Sequence, residues 1–211
     1  MLHSTPLLGV TLYSFNQEWV TGQYTLSELL KAVADHGVGP GIEIVGFQSV
    51  RNFPHLEKAF VHEFRSALDA YELVPTSLGS TVDTAMRRDR YLTKEEQIAY
   101  LAPQIEAAHE LGFGIVRVQF GADEEVLRGV VPLAEKLGIR LGMEIHAPQG
   151  PNTPAVLKIR EAYKRIDSEV LGFIPDFSST MHQVTPGLLD SFVADGLNPK
   201  FTTLLQDIWA E

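Results

Sequence analysis

Two short apolar runs carry the residues best suited to chemistry: Met143-Glu144-Ile145-His146-Ala147 and Ile174-Pro175-Asp176-Phe177-Ser178. Residues two apart on a strand share a face, so Glu144 and His146 are expected to point the same way. Asp176 falls at about the same height on the following strand. Neighbouring strands lie roughly 5 Å apart, which lets two carboxylates converge on one divalent cation. Hard oxygen ligands suit manganese or magnesium, and an added imidazole extends the range to cobalt, iron or zinc. Mn2+ is the expected ion, with Mg2+, Co2+ and Zn2+ as alternatives. Paired carboxylates on apolar strands more often form salt bridges, but no Lys or Arg stands beside these two on their own strand ends, which favours a functional site.

His146 reads as a third ligand or as a general base, the alternative being a histidine hydrogen-bonded in the core. Its unperturbed pKa of about 6.5 leaves much of it neutral at physiological pH, and a nearby cation favours that neutral form. His182 follows Asp176 in the next loop, where it can meet substrate or metal if the loop folds inward. The other histidines, His3, His36, His55, His62 and His109, fall at a terminus or on expected helices and are given no role. The run Arg87-Arg88-Asp89-Arg90 reads as solvated surface rather than as an anion site.

These residues need elements to hold them. Leu7–Phe15 is short, apolar and rich in strand formers, and Thr25-Leu-Ser-Glu28 is a capping box opening a helix whose apolar positions Leu26, Leu29, Leu30 and Val33 recur at helical spacing. Gly37 stands where a left-handed C-terminal residue belongs. The grammar repeats: Gly41–Phe47 as strand, Pro54–Tyr71 as helix, and Leu73–Ser80 as strand. A second capping box, Thr93–Glu96, opens a helix to Leu111. Ile115–Phe120, Arg140–Ala147 and Val170–Ser178 are further strands, separated by helices at Asp123–Leu137 and Pro154–Ile166. About six strand–helix units spaced by roughly 30 residues imply a parallel α/β sheet, because parallel neighbours need a crossover helix. No GxGxxG or GxxxxGK[ST] loop occurs, as a doubly wound nucleotide fold would require. Polar residues at the C-terminal ends of strands fit a (β/α)8 barrel instead. Glu43, Arg117 and Gln119 alternate so as to face the interior, where Glu43 and Arg117 are read as a structural ion pair.

Composition sets the bounds. The chain has 211 residues, 17 Lys+Arg against 27 Asp+Glu for a net charge of −10, 45% hydrophobic residues and no cysteine. Disorder and a coiled coil are both out of keeping with this mixture. An acidic protein without a basic patch is not expected to bind nucleic acid or an anionic membrane surface. The absence of cysteine, of a basic leader and of any long apolar run points to a protein of the reducing cytoplasm.

A first strand ending in Tyr13-Ser14-Phe15, the strand GIEIVGF, the Glu in GMEIHAP and the Asp in IPDFSS together resemble the xylose isomerase-like TIM barrels, a superfamily of sugar isomerases and epimerases, inosose dehydratases and endonuclease IV-type enzymes. Within it, the Glu-Ile-His spacing and PDFSS resemble the catalytic subunits of bacterial C-glycoside deglycosidases. The resemblance implies a divalent metal held by Glu144 and Asp176, with His146 as the base. The family's remaining ligands, a strand-seven His and a strand-eight Glu, have no position in this sequence. Some relatives place a substrate-contacting His three residues after the strand-six Asp; Ser179 stands there, and His182 three residues later. Tyr13, Gln119 and His182 are assigned to a small sugar or glycoside substrate. Proton abstraction next to a carbonyl leads either to epimerisation or to β-elimination of an aglycone, and the charge of −10 argues against a DNA substrate. The resemblance further implies a homo-oligomer or a hetero-oligomer with a small second subunit.

A full barrel needs eight strands and about 250 residues. The expectation is therefore a single TIM-barrel domain over residues 1–211 that stops after about six units, with a non-catalytic partial barrel, covered by a partner or by further residues, as the alternative reading.

Overall fold

The computed structural model describes residues 6–119, 122–181 and 183–210. Among them one sheet of six strands runs in chain order: β1 (Gly9–Thr11), β2 (Gly41–Val45), β3 (Val74–Ser80), β4 (Ile115–Val118), β5 (Arg140–Ile145) and β6 (Leu171–Pro175). The pairs from β1 to β5 are parallel, as the alternation of strands and helices requires.

The helices that carry a capping signal begin where the sequence places it. Helix α1 (Asn16–Val20) is a short turn after β1, and α2 (Leu26–His36) opens on the full Thr25–Glu28 capping box. Gly37, at φ 61°, closes α2 in the left-handed conformation that costs other residues a steric penalty. Helices α3 (Gly46–Ser49) and α4 (Lys58–Ala70) follow β2; α5 (Lys94–Leu111) opens on the Thr93–Glu96 box, and α6 (Glu124–Leu137) is capped by Asp123. Then come α7 (Pro154–Ile166), α8 (Pro186–Ala194) and α9 (Phe201–Ala210).

Several ends differ from expectation for local reasons. The first strand stops at Thr11, whose hydroxyl accepts from the Tyr13 N–H and starts a 3-10 turn over Leu12–Phe15. The sixth stops at Pro175 because Asp176 caps a 3-10 turn over Phe177–Thr180. The helix expected from Pro54 begins at Lys58 instead. Glu57, directly before Lys58, is in extended geometry, so the backbone enters the helix only there.

On one face of the sheet Ile42, Ile44, Leu78, Val116, Val118 and Leu141 are at most 1% exposed, and they join Leu30, Leu101, Ile105 and Leu127 from the helices in one core. Burying each such side chain stabilises the fold by about 1.5–3 kcal/mol. Contacts divide the chain into two compact units, one of residues up to Glu144 with Lys158–Ile174, the other of Ile145–Leu157 with the residues from Pro175 onward. Among the described residues no helix is long and apolar enough to cross a membrane.

Candidate functional site

The opposite face of the sheet is polar. The strand register sets Glu43 beside Ser77, Gly79 beside Arg117, and Arg117 beside Gly142, with Glu144 two residues further on the same face. Arg117 makes both ends of a fork to Glu43, Nε to Oε2 at 3.0 Å and Nη2 to Oε1 at 3.1 Å. The Ser77 hydroxyl donates to Glu43 Oε2 at 2.6 Å. The remaining edge of the guanidinium donates from Nη1 to Glu144 Oε2 at 2.5 Å. To reach β2 from β4 the arginine must cross β3, and it does so over Gly79, where a Cβ would come within 2.9 Å of Nη2.

The expected Glu43–Arg117 pair is thus present, and it extends further. No Lys or Arg stands on the ends of β5 and β6 themselves, as read from the sequence, but the salt bridge that this reading set aside for Glu144 forms from the neighbouring strand: the side chain of Arg117 is long enough to meet a carboxylate two residues beyond its register partner. Burial works against the charge on Arg117, but Glu43 and then Glu144 outweigh it, and its pKa is raised. The side chains of Arg117, Glu43 and Glu144 are 11, 18 and 15% exposed, so two carboxylates and one guanidinium, 1 − 2 = −1, leave a half-buried net negative charge. Incompletely compensated charge away from water is costly and favours a further cation. Glu144 Oε1 has no hydrogen-bond partner among the described residues.

In the second unit, the Asp176 N–H donates to the Ile145 carbonyl at 2.9 Å and the Ala147 N–H to the Ser178 hydroxyl at 3.0 Å. The ends of the fifth and sixth strands are therefore tied side by side, as anticipated. Asp176 Oδ1 accepts from the Ser178 N–H at 2.7 Å, which fixes that carboxylate over the 3-10 turn. His146 is exposed, and its Nδ1 lies 2.7 Å from the Ala147 carbonyl. A carbonyl only accepts, so Nδ1 carries the proton and Nε2 of the neutral ring is the basic nitrogen.

The other expected residues are less anchored. Tyr13 is exposed in the turn after β1. Gln119 lies just past the end of β4, half-buried, with its N–H donating to the Ser80 carbonyl at 3.4 Å. His182 lies outside the described residues. Arg87 and Arg90 pair with Glu96 on the surface, in keeping with the solvated reading. Asn16 and Gln48 were not anticipated: each holds a buried side-chain oxygen with no partner among the described residues, just past the ends of β1 and β2. Their signal in the sequence is a polar amide directly after an apolar strand. The same two connections border a cleft of about 520 Å3 whose wall includes Trp19, Tyr24, Arg51, His55 and Phe60, with the Arg51 guanidinium 5.5 Å over the Trp19 ring.

A divalent cation is the group that the resemblance noted from the sequence implies. Among the described residues no three His, Asp or Glu side chains gather as a complete metal shell. The donor chemistry present nevertheless fits such an ion: a carboxylate with one oxygen that no described residue engages, in a cluster that is one positive charge short.

Comparison with known proteins agrees with this reading of the fold. Residues 30–196 match the family model for the xylose isomerase-like TIM barrel. The chain is 45% identical over 202 residues to a C-glycoside deglycosidase alpha subunit of Arthrobacter globiformis, covering 96% of this chain and 57% of that protein. It is 39% identical over 189 residues to a 3'-dehydrocarminate deglycosidase alpha subunit of a Microbacterium species, covering 90% and 54%. The chain thus spans about half the length of the curated relatives it matches. A xylose isomerase-like TIM barrel protein of Mycobacterium smegmatis, solved in complex with magnesium, superposes with a TM-score of 0.58 at 18% identity, covering 90% of this chain and 71% of that one. With six strands in chain order and the family match spanning most of its length, the chain belongs to the xylose isomerase-like TIM barrel family.

Proposed function

We propose that this chain forms the catalytic part of a divalent-metal-dependent enzyme that releases the aglycone from an oxidised glycoside, and that it works with a second subunit. The similarity to deglycosidase alpha subunits supports the substrate class and the partner. The observation that carries the chemistry is the Nδ1–H to Ala147 hydrogen bond of His146, which leaves Nε2 as the acceptor two residues past Glu144.

In this reading Glu144 and Asp176 hold the ion, Mn2+ by preference, with His182 close by in sequence. When bound, a divalent cation polarises a carbonyl and lowers the pKa of the adjacent C–H. His146 Nε2 takes the proton next to the sugar carbonyl. The electron pair left behind forms a C=C bond, and the bond to the aglycone breaks. The aglycone leaves with that bonding pair and takes up a proton. Tyr13 and Gln119 contact the sugar.

The test is aglycone release from a 3-keto C-glycoside by the full-length protein with its second subunit and Mn2+. Removing a general base slows such a step by about 100-fold or more, so His146→Ala is expected to lose at least that much. Undiminished release by His146→Ala would end the assignment. Inversion at the carbon next to the carbonyl, with the aglycone retained, would move the protein to the epimerase branch.

A further inference from the structure

We infer that Glu43 and Arg117 are positioning residues for Glu144: the pair sets which oxygen of that carboxylate faces a bound cation and how negative the cluster is. The inference deepens the proposed function and rests on Glu144 being a metal ligand. Arg117 is gripped through two nitrogens by Glu43, and Glu43 is itself fixed by the Ser77 hydroxyl. The guanidinium therefore cannot rotate freely, and its Nη1 holds Glu144 at Oε2 alone. Oε1, on the same carboxylate, is left without a hydrogen bond among the described residues. A simple structural pair would need only Glu43 and Arg117, which already balance. Adding Glu144 returns the cluster to a charge of −1, with all three side chains at most 18% exposed. The arrangement behaves as an outer shell. It orients a ligand and keeps net negative charge at the point where a cation arrives, and the loss of such outer partners typically weakens metal binding by 10–100-fold.

Glu43→Gln keeps the shape and removes one negative charge. Arg117→Lys keeps the charge and removes the fork, since a single ammonium nitrogen cannot reproduce the planar two-nitrogen grip on Glu43 that fixes the third nitrogen toward Glu144. The experiment titrates Mn2+ alone into the full-length protein and follows free Mn2+ by electron paramagnetic resonance, with thermal unfolding recorded on the same samples. Both variants are expected to bind Mn2+ about tenfold more weakly while remaining folded. Wild-type affinity in a folded variant, with only its melting temperature lowered, would mean that the pair is structural and would overturn the inference. If Glu43→Gln does not fold, Arg117→Lys decides by itself, and the surface-conserving Ser77→Ala decides if neither folds, by the same loss or retention of affinity. Glu144→Ala separates the two levels of the argument. Loss of Mn2+ binding there with unchanged binding in the other variants removes only the positioning role, whereas retained binding in Glu144→Ala removes the metal reading and the inference together.

Discussion

On the sheet, one arginine serves two glutamates; on the outer helices, one glutamate serves two arginines. Arg117 bonds Glu43 and Glu144 with side chains 11–18% exposed. Glu124, in the first turn of α6, accepts from Arg128 at 2.9 Å and from Arg165 of α7 at 2.6 Å, with side chains 30–54% exposed. The chemistry of the contacts is the same, and the surroundings decide what each is worth. Around Glu124, water and salt screen the charges, and each partner that leaves is replaced by solvent. Around Arg117 little water is available, so removing one partner strands the others. Stoichiometry then gives the sign. The outer cluster has a surplus of positive charge that the solvent absorbs; the inner one has a surplus of negative charge that a ligand can use.

The largest expected effect breaks the inner cluster from its centre. Arg117→Met leaves two carboxylates facing each other and should cost about 3 kcal/mol in urea unfolding, the lower end for a buried pair because some exposure remains. The comparison sharpens if all three are replaced. A Glu43→Leu, Arg117→Met, Glu144→Leu protein has no stranded charge, and it should unfold within about 1 kcal/mol of wild type or be more stable. That result would mean that the cluster is retained for its chemistry. A triple variant much less stable than the single one would instead make the charges part of what holds the sheet together. Gly79→Ala comes next. Its Cβ would sit 2.9 Å from Arg117 Nη2 and 3.1 Å from Val45 Cγ2, so either the fork or β2 must shift, at about 1–3 kcal/mol. Wild-type stability for Gly79→Ala would show that the arginine has another route across β3.

These two kinds of feature were not equally readable in the sequence. Capping boxes at Thr25 and Thr93 are local, and the helices they announce begin there because the side chain and the backbone it caps lie within one turn. Glu144, His146 and Asp176 stand out because polar residues interrupt apolar strands, and the backbone tie between Ile145 and Asp176 and the bond from the Ala147 N–H to the Ser178 hydroxyl follow from strand adjacency. The link from Arg117 to Glu144 could not be read in the same way. It depends on the register between β4 and β5, and the link to Glu43 depends on Gly79 leaving a lane across a third strand. Strand ends were overrun wherever a side chain took over the backbone. Thr11 and Asp176 are two such cases, since an extended run and a capped turn have the same hydrophobicity up to the capping residue; β2, expected to reach Phe47, stops at Val45 without a side-chain cap.

The smallest expected effect lies in the outer cluster, and it is visible in titration rather than in stability at neutral pH. Hydrogen bonds from Arg165 and then Arg128 bring the Glu124 carboxyl down to about 2. A carboxyl whose folded pKa lies below its unfolded one stabilises the fold fully above the unfolded value, about 4.5 for glutamate, and loses that contribution as pH falls toward the folded value. Arg165→Ala should therefore leave unfolding at neutral pH nearly unchanged. It should move the Glu124 midpoint, followed by carboxyl-carbon NMR, up toward the ordinary value and narrow the acid window between about 4.5 and 2 over which wild type loses stability. A Glu124 that already titrates normally in wild type would show that solvent has dissolved the outer cluster altogether. The contrast with Arg117 would then be one between a formed ion cluster and an absent one.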